Sequence, residues 1–210
     1  MAQLTTQTVR AYTEHLAGSG PTPGGGSAAA LCGALAAAAG AMVGSFTVGK
    51  EKFAAVEADV SRLLERLQAL RERMLALTDA DAEAYAGVGA AYALPKQTDE
   101  EKGARQGAIQ QALQDAAQVP LGVVEAAGEI AALLPELAEK GNPNLLSDVG
   151  VAAILASAAF EAGKLNVEVN LAGIKDAAYC AAVRERMSQA AAQVQVASEV
   201  ARQVAEAVSS

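Results

Sequence analysis

Between Ser27 and Gly49 lie 23 residues without a charged side chain. At 1.5 Å per residue, a helix of that length spans a bilayer. Its composition argues against that use. Only Leu31, Leu35, Met42, Val43, Phe46 and Val48 are large and apolar, and Ala, Gly and Ser fill most of the rest. Insertion free energy comes mainly from large apolar side chains. Small residues recur at every fourth position, in Gly33-Ala37-Ala41-Ser45 and Ala36-Gly40-Gly44, which lets neighbouring backbones come close. The stretch therefore predicts a central helix of a tight soluble bundle, packed on all sides by protein, with Ser27 as its N-cap.

The remaining periodicity is helical almost throughout, and no stretch alternates with period two for long. A first helix is predicted over about Thr6–Ala17, closed by the Gly/Pro-rich run 18–26. A long helix starts near Phe53, with a seam of Val56, Val60, Leu63, Leu67, Leu70, Met74, Leu77, Asp81, Ala84 and Val88. Pro95 ends it. Thr98-Asp99-Glu100-Glu101 is a capping box that opens the next helix, in which Pro120 marks a break or kink and Pro135 a bend. After Gly141-Asn142-Pro143-Asn144, a helix carries Asp148, Val151, Leu155, Ala158, Ala162, Leu165 and Val169 on the side expected to face inward. A final helix runs from about Asp176 to Val208. The expected fold is all-α: one domain over residues 1–210, a bundle of long helices whose apolar stripes pair in a homodimer.

Composition removes several functions. With 24 acidic and 16 basic residues the chain carries a net charge of −8, a poor match for a nucleic-acid backbone. The single histidine, His15, reads as a surface or groove residue. The two cysteines, Cys32 and Cys180, lie in Ala-rich helical patterns and read as buried, reduced thiols. No Cys-x-x-Cys or His-x-x-x-His pair exists, so no metal site is expected. The N-terminus has no basic segment followed by an apolar one, so no signal peptide is read and a cytoplasmic location is expected. Any catalysis rests on carboxylates, lysines, amides, hydroxyls and backbone groups.

Polar residues on apolar faces then stand out, because burying them costs free energy unless they are paired. Asp81 occupies the seam of the long helix, either as the wet end of that seam or as a working group. Asp148 sits in a first helical turn, where an acid also serves as a cap. Asn166 and Asn170 share one helix face, for interhelical hydrogen bonds or for a ligand. Pro21-Thr22-Pro23-Gly24-Gly25-Gly26-Ser27 leads into a helix N-terminus whose free N–H groups suit an anion or a carbonyl. No Gly-Lys-Ser/Thr follows and no strand precedes it, so it is neither a P-loop nor a dinucleotide fingerprint. With Gly141–Asn144 and Lys96 at two further helix breaks, these groups suggest one pocket, at an end of the bundle or at a dimer interface.

Three motifs in order, Pro21-Thr-Pro-Gly-Gly-Gly-Ser-Ala-Ala-Ala30, Leu94-Pro-Lys-Gln-Thr-Asp-Glu-Glu-Lys102 and Gly141-Asn-Pro-Asn-Leu-Leu-Ser-Asp148, resemble the cyclodeaminase/cyclohydrolase family of folate enzymes. Leu165-Asn-Val-Glu-Val-Asn170 fits as well, and the resemblance covers nearly the whole chain. It implies an all-helical homodimer acting on a tetrahydrofolate one-carbon adduct, with no cofactor besides that substrate and no nucleic-acid or membrane partner. The leading expectation is hydrolysis of 5,10-methenyltetrahydrofolate to 10-formyltetrahydrofolate. The alternatives are formiminotetrahydrofolate cyclodeaminase, an ammonia-lyase, and a non-catalytic folate-binding helical subunit.

Under this resemblance Asp148 and Asp81 are the carboxylates, one a base or electrostatic partner and the other orienting the pterin. Lys96 polarises water or a substrate atom. Asn142, Asn144 and Ser147 hydrogen-bond the pterin or the one-carbon unit, and Asn166 and Asn170 join them. Gly24, Gly25, Gly26 and Ser27 shape the loop against the ligand. Lys50 either meets a glutamate-tail carboxylate or is simply solvated.

Overall fold

The computed structural model describes residues 3–209, and among these there is no strand. Helices α1 (Val9–Leu16), α2 (Gly25–Ser45), α3 (Glu57–Tyr92), α4 (Asp99–Lys140), α5 (Leu146–Leu171) and α6 (Ala177–Ser209) follow one another through short connections and 3₁₀ turns. Helices α2 to α5 form an up-and-down bundle in which α2 packs on α3 and α5 and touches α4 across the core; α6 lies against α4 and α5.

Small residues set the spacing of this bundle. A Cβ at Gly40 would lie 3.2 Å from Leu67 Cδ1, one at Gly44 3.1 Å from Leu64 Cβ, and one at Gly163 3.0 Å from Val124 Cγ2. Leu63, Leu67, Met74, Leu121, Ile130, Leu134 and Leu137 fill the core between them.

Several helix limits differ from the sequence reading. The first segment is a 3₁₀ turn, Leu4–Thr6, followed by α1, which Thr8 caps. Gly24, not Ser27, is the N-cap of α2, and Ser27 is the third residue of the helix, fully buried. The capping box Thr98–Glu101 forms as read, with both reciprocal bonds in place. Helix α4 runs without a break through Pro120 and Pro135, held on both sides by α3, α5 and α6. Asp176 caps α6 by accepting the Tyr179 N–H at 3.0 Å.

The α3 seam is buried as expected from Val60 to Met74 and then moves to Thr78 and Ala82. A stripe stepping by three and four averages 3.5 residues per turn and drifts around a 3.6-residue helix, so Asp81, Ala84 and Val88 end at the edge of the core.

The expected inward face of α5 is turned mostly outward, with only Leu155 and Ala162 of that stripe packed partly against the core. Val151, Ile154, Leu165 and Val169 are exposed, the last by 75 %, while Ala152, Ala153, Ala156, Ala159 and Gly163 point into the bundle. Nor is α2 enclosed: Leu35 is 54 % exposed and Met42 is exposed beside it. By length and mean hydropathy α2, α4 and the Pro143–Leu171 segment could each cross a membrane. Helices α2 and α5 thus share a flat apolar outer face. The far side carries charge instead, with Arg62–Glu136 at 2.8 Å and Arg73–Glu129 at 2.7 Å joining α3 to α4, and Arg186–Glu125 at 2.6 Å joining α6 to α4.

Candidate active site

The N-terminus of α2 opens into a cleft of about 400 Å³. Gly24, Gly25 and Gly26 form one wall, Asp81 and Tyr85 of α3 a second, and Asn166 and Asn170 of α5 a third. A groove of about 360 Å³ between α5 and α6 holds none of the motif residues.

Asp81 is the centre of the cleft. Its Oδ2 accepts the Ser27 backbone N–H at 3.0 Å, so a carboxylate 54 positions away caps α2. A Cβ at Gly26 would overlap Asp81 Oδ1, which explains a glycine at that position. Burial pushes the Asp81 carboxyl above its ordinary range, against the Ser27 hydrogen bond that favours its charged form. A carboxyl in that state holds its proton to higher pH than an exposed one does. Behind it, the Tyr12 hydroxyl lies 3.0 Å from Ser27 Oγ.

Asn166 stands against Gly25, where a Cβ would be 3.5 Å from Asn166 Oδ1. The Nδ2 groups of Asn166 and Asn170 donate to carbonyls of their own helix, at Ala162 O (2.8 Å) and Asn166 O (2.9 Å). Each Oδ1 is thereby left as an acceptor at the cleft. Tyr85, one turn beyond Asp81, is 57 % exposed at the rim and offers a flat face to a heterocycle.

The other motif residues are elsewhere. Asn142, Asn144, Ser147 and Asp148 lie at the opposite end of α5, and 18 residues of helix, about 27 Å, separate Asp148 from Asn166. Asn142 builds its own loop: its N–H donates to Thr47 Oγ1 at 2.9 Å and its Oδ1 accepts the Asn144 N–H at 3.2 Å. Asp148 is half-buried in the first turn of α5 with no hydrogen-bonded partner among the described residues. Lys50 is exposed at that same end, before the Glu51–Val56 turn. Lys96 is exposed in the α3–α4 connection, after α3 has continued 11 residues, about 16 Å, past Asp81. The single pocket expected from sequence is therefore not assembled within one chain.

Tyr12 and Tyr85 are missing from the sequence-based set. Tyr85 had a signal, since it follows Asp81 by four residues and shares its helix face. Tyr12 had none. His15 is a surface residue bonded to Gln7 at 2.9 Å; both cysteines are free, and Cys32 is only partly buried.

Comparison with known proteins identifies the fold and the family. The formiminotransferase-cyclodeaminase family profile matches residues 8–189. The chain is 45 % identical over 173 residues to methenyltetrahydrofolate cyclohydrolase of Methylorubrum extorquens, covering 82 % of this chain and 83 % of that one. It is 36 % identical over 180 residues to rat formimidoyltransferase-cyclodeaminase, covering 86 % of this chain but 33 % of that longer protein. The crystal structure of formiminotetrahydrofolate cyclodeaminase from Thermotoga maritima superposes with a TM-score of 0.87 at 32 % identity, covering 98 % of each chain. A helical bundle with a glycine-walled carboxyl cleft, matched along nearly its full length in sequence and structure, belongs to the formiminotransferase-cyclodeaminase family.

Proposed function

We propose that the protein is a methenyltetrahydrofolate cyclohydrolase, converting 5,10-methenyltetrahydrofolate and water to 10-formyltetrahydrofolate. The observation that carries this is its 45 % identity to a cyclohydrolase of which it covers 83 %. The cleft suits the chemistry. The methenyl carbon is an amidinium cation, already electrophilic, so the protein must supply a base, a counter-charge and orientation. Asp81 takes a proton as water adds to that carbon, giving a neutral tetrahedral adduct. The bond from carbon to N5 then breaks, N5 takes the proton back from Asp81, and the adduct hydroxyl releases its own to solvent. Asn166 and Asn170 accept hydrogen bonds from the pterin, Tyr85 stacks on it, and the folate itself is the one cofactor-like group required.

A second reading is formiminotetrahydrofolate cyclodeaminase, favoured by the superposition on the Thermotoga enzyme along 98 % of both chains. There Asp81 would donate its proton to the departing ammonia. Loss of methenyl absorbance without ammonia identifies the hydrolase; gain of absorbance with ammonia identifies the lyase. Asp81→Asn should lower kcat by about 10²–10⁴-fold in whichever assay is positive, and a wild-type rate for that variant would falsify the role of Asp81.

The reading includes a cytoplasmic homodimer, with no nucleic acid or membrane engaged. A second copy covers the α2/α5 outer face, where Leu35, Met42, Val151, Ile154, Leu165 and Val169 are exposed and Asn166 and Asp148 stand towards its two ends. With a two-fold axis lying in that face and crossing the helices, the Asp148 end of one protomer meets the Asp81 end of its partner. Asp148, Asn144 and Ser147 then reach the cleft from the other subunit, Asp148 as the second counter-charge to the cation. Lys96 approaches from the α3–α4 tip, and Lys50 stays available for a substrate carboxylate.

A further inference from the structure

Helix α1 contributes a single buried side chain. Tyr12 is 6 % exposed, while Val9, Arg10, Thr13, Glu14 and His15 are open to solvent. The segment before α1 is clasped to α3 by Asp79, whose Oδ1 accepts the Leu4 N–H at 2.6 Å and whose Oδ2 accepts the Thr5 hydroxyl at 2.7 Å. That anchor lies two residues from Asp81 and delivers Tyr12 to the back of the cleft wall.

The wall needs support. Gly24, Gly25 and Gly26 carry no side chains, and glycine leaves the backbone loose. Ser27 is the first side chain of α2. It is fully buried, and its hydroxyl has Tyr12 as its hydrogen-bond partner, at 3.0 Å. Its backbone N–H meets Asp81 Oδ2, also at 3.0 Å. We propose that Tyr12 is a positioning residue, whose hydroxyl clamps Ser27 and so holds the first turn of α2 on the Asp81 carboxyl. This rests on the reading of Asp81 as the proton-exchanging group.

The surroundings agree with that role. Burial raises the Tyr12 phenol above its ordinary range, so it keeps its proton and can donate. Without Tyr12, the Ser27 hydroxyl loses a buried partner and turns toward a carbonyl of its own helix, loosening the N–H that favours ionised Asp81. The other titratable side chain lining the cleft is Tyr85, on the same helix as Asp81; α2, α4 and α5 bring none.

Tyr12→Phe, Ser27→Ala and the double variant test this, with Asp81→Asn as reference. Ser27→Ala keeps the backbone N–H and fits a helix, so it carries the test if Tyr12→Phe unfolds. Each single variant should lose about tenfold in kcat with KM for methenyltetrahydrofolate nearly unchanged, and the double variant should be no worse than either. The acidic limb of the kcat profile should move about half a pH unit upward as Asp81 loses support. Wild-type kcat and an unmoved acidic limb in the folded single variants, or additive losses in the double, would overturn the clamp. If Asp81→Asn is inactive in that case, the functional reading stands without it. If Asp81→Asn works at the wild-type rate, the reading of Asp81 fails first.

Discussion

Asp81, the proposed proton-exchanging group, is held where burial opposes its ionised form. Its carboxyl is raised by burial, so the folded protein holds that proton more tightly than the unfolded chain does. Stability from this group is present below the ordinary carboxyl range and is lost as pH rises through the raised folded value. Burial disfavours the ionised form, and Asn can still accept the Ser27 N–H. Asp81→Asn should therefore melt higher than wild type at pH 7, and the gap should close on acidification; calorimetry at several pH values checks this. Asp81 was legible in the sequence because a carboxylate interrupted an apolar seam. Tyr12 was not, because its partner Ser27 lies 15 residues away and nothing in an exposed eight-residue helix announces a buried hydroxyl.

Elements show where sequence periodicity succeeds and where it inverts. Local chemistry was readable at the Thr98 capping box, since its bonds join residues three apart. The start of α2 was misplaced because its true cap is a bare Gly24, while the acceptor for its third N–H comes from α3. That cross-helix cap makes neighbouring glycines unequal. Gly26→Ala should drive Asp81 off the helix end, costing about 1–3 kcal/mol and most of the activity. Gly25→Ala meets Asn166 at ordinary contact distance and should leave melting unchanged within error. In α5 the periodicity was right and its direction wrong. The stripe of Val151, Leu165 and Val169 was taken as the core face, but closely spaced helices bury Ala152, Ala153, Ala156, Ala159 and Gly163 there, together with Val149, Phe160 and Val167.

At the scale of the whole molecule, the sequence placed two carboxylates in one pocket, and the bundle puts them about 27 Å apart. A linear motif order does not say which helix ends meet, still less which meet between subunits. The proposed two-fold arrangement makes a counting prediction. Asp81→Asn and Asp148→Asn proteins, each inactive, should recover about a quarter of wild-type activity when unfolded together and refolded as a mixture. Half of the dimers are then mixed, and each mixed dimer rebuilds one intact cleft. No recovery, with mixed dimers confirmed by mass, would place Asp148 outside the cleft.

The molecule is also two-sided toward ions. Exposed Arg–Glu pairs join α3, α4 and α6 on one side, and a largely apolar face of α2 and α5 forms the other. Added sulfate screens the first and strengthens burial of the second. Subunit association should accordingly tighten with sulfate in sedimentation experiments, even though the protein carries a net charge of −8. Salt would then favour assembly through the face proposed to complete the cleft.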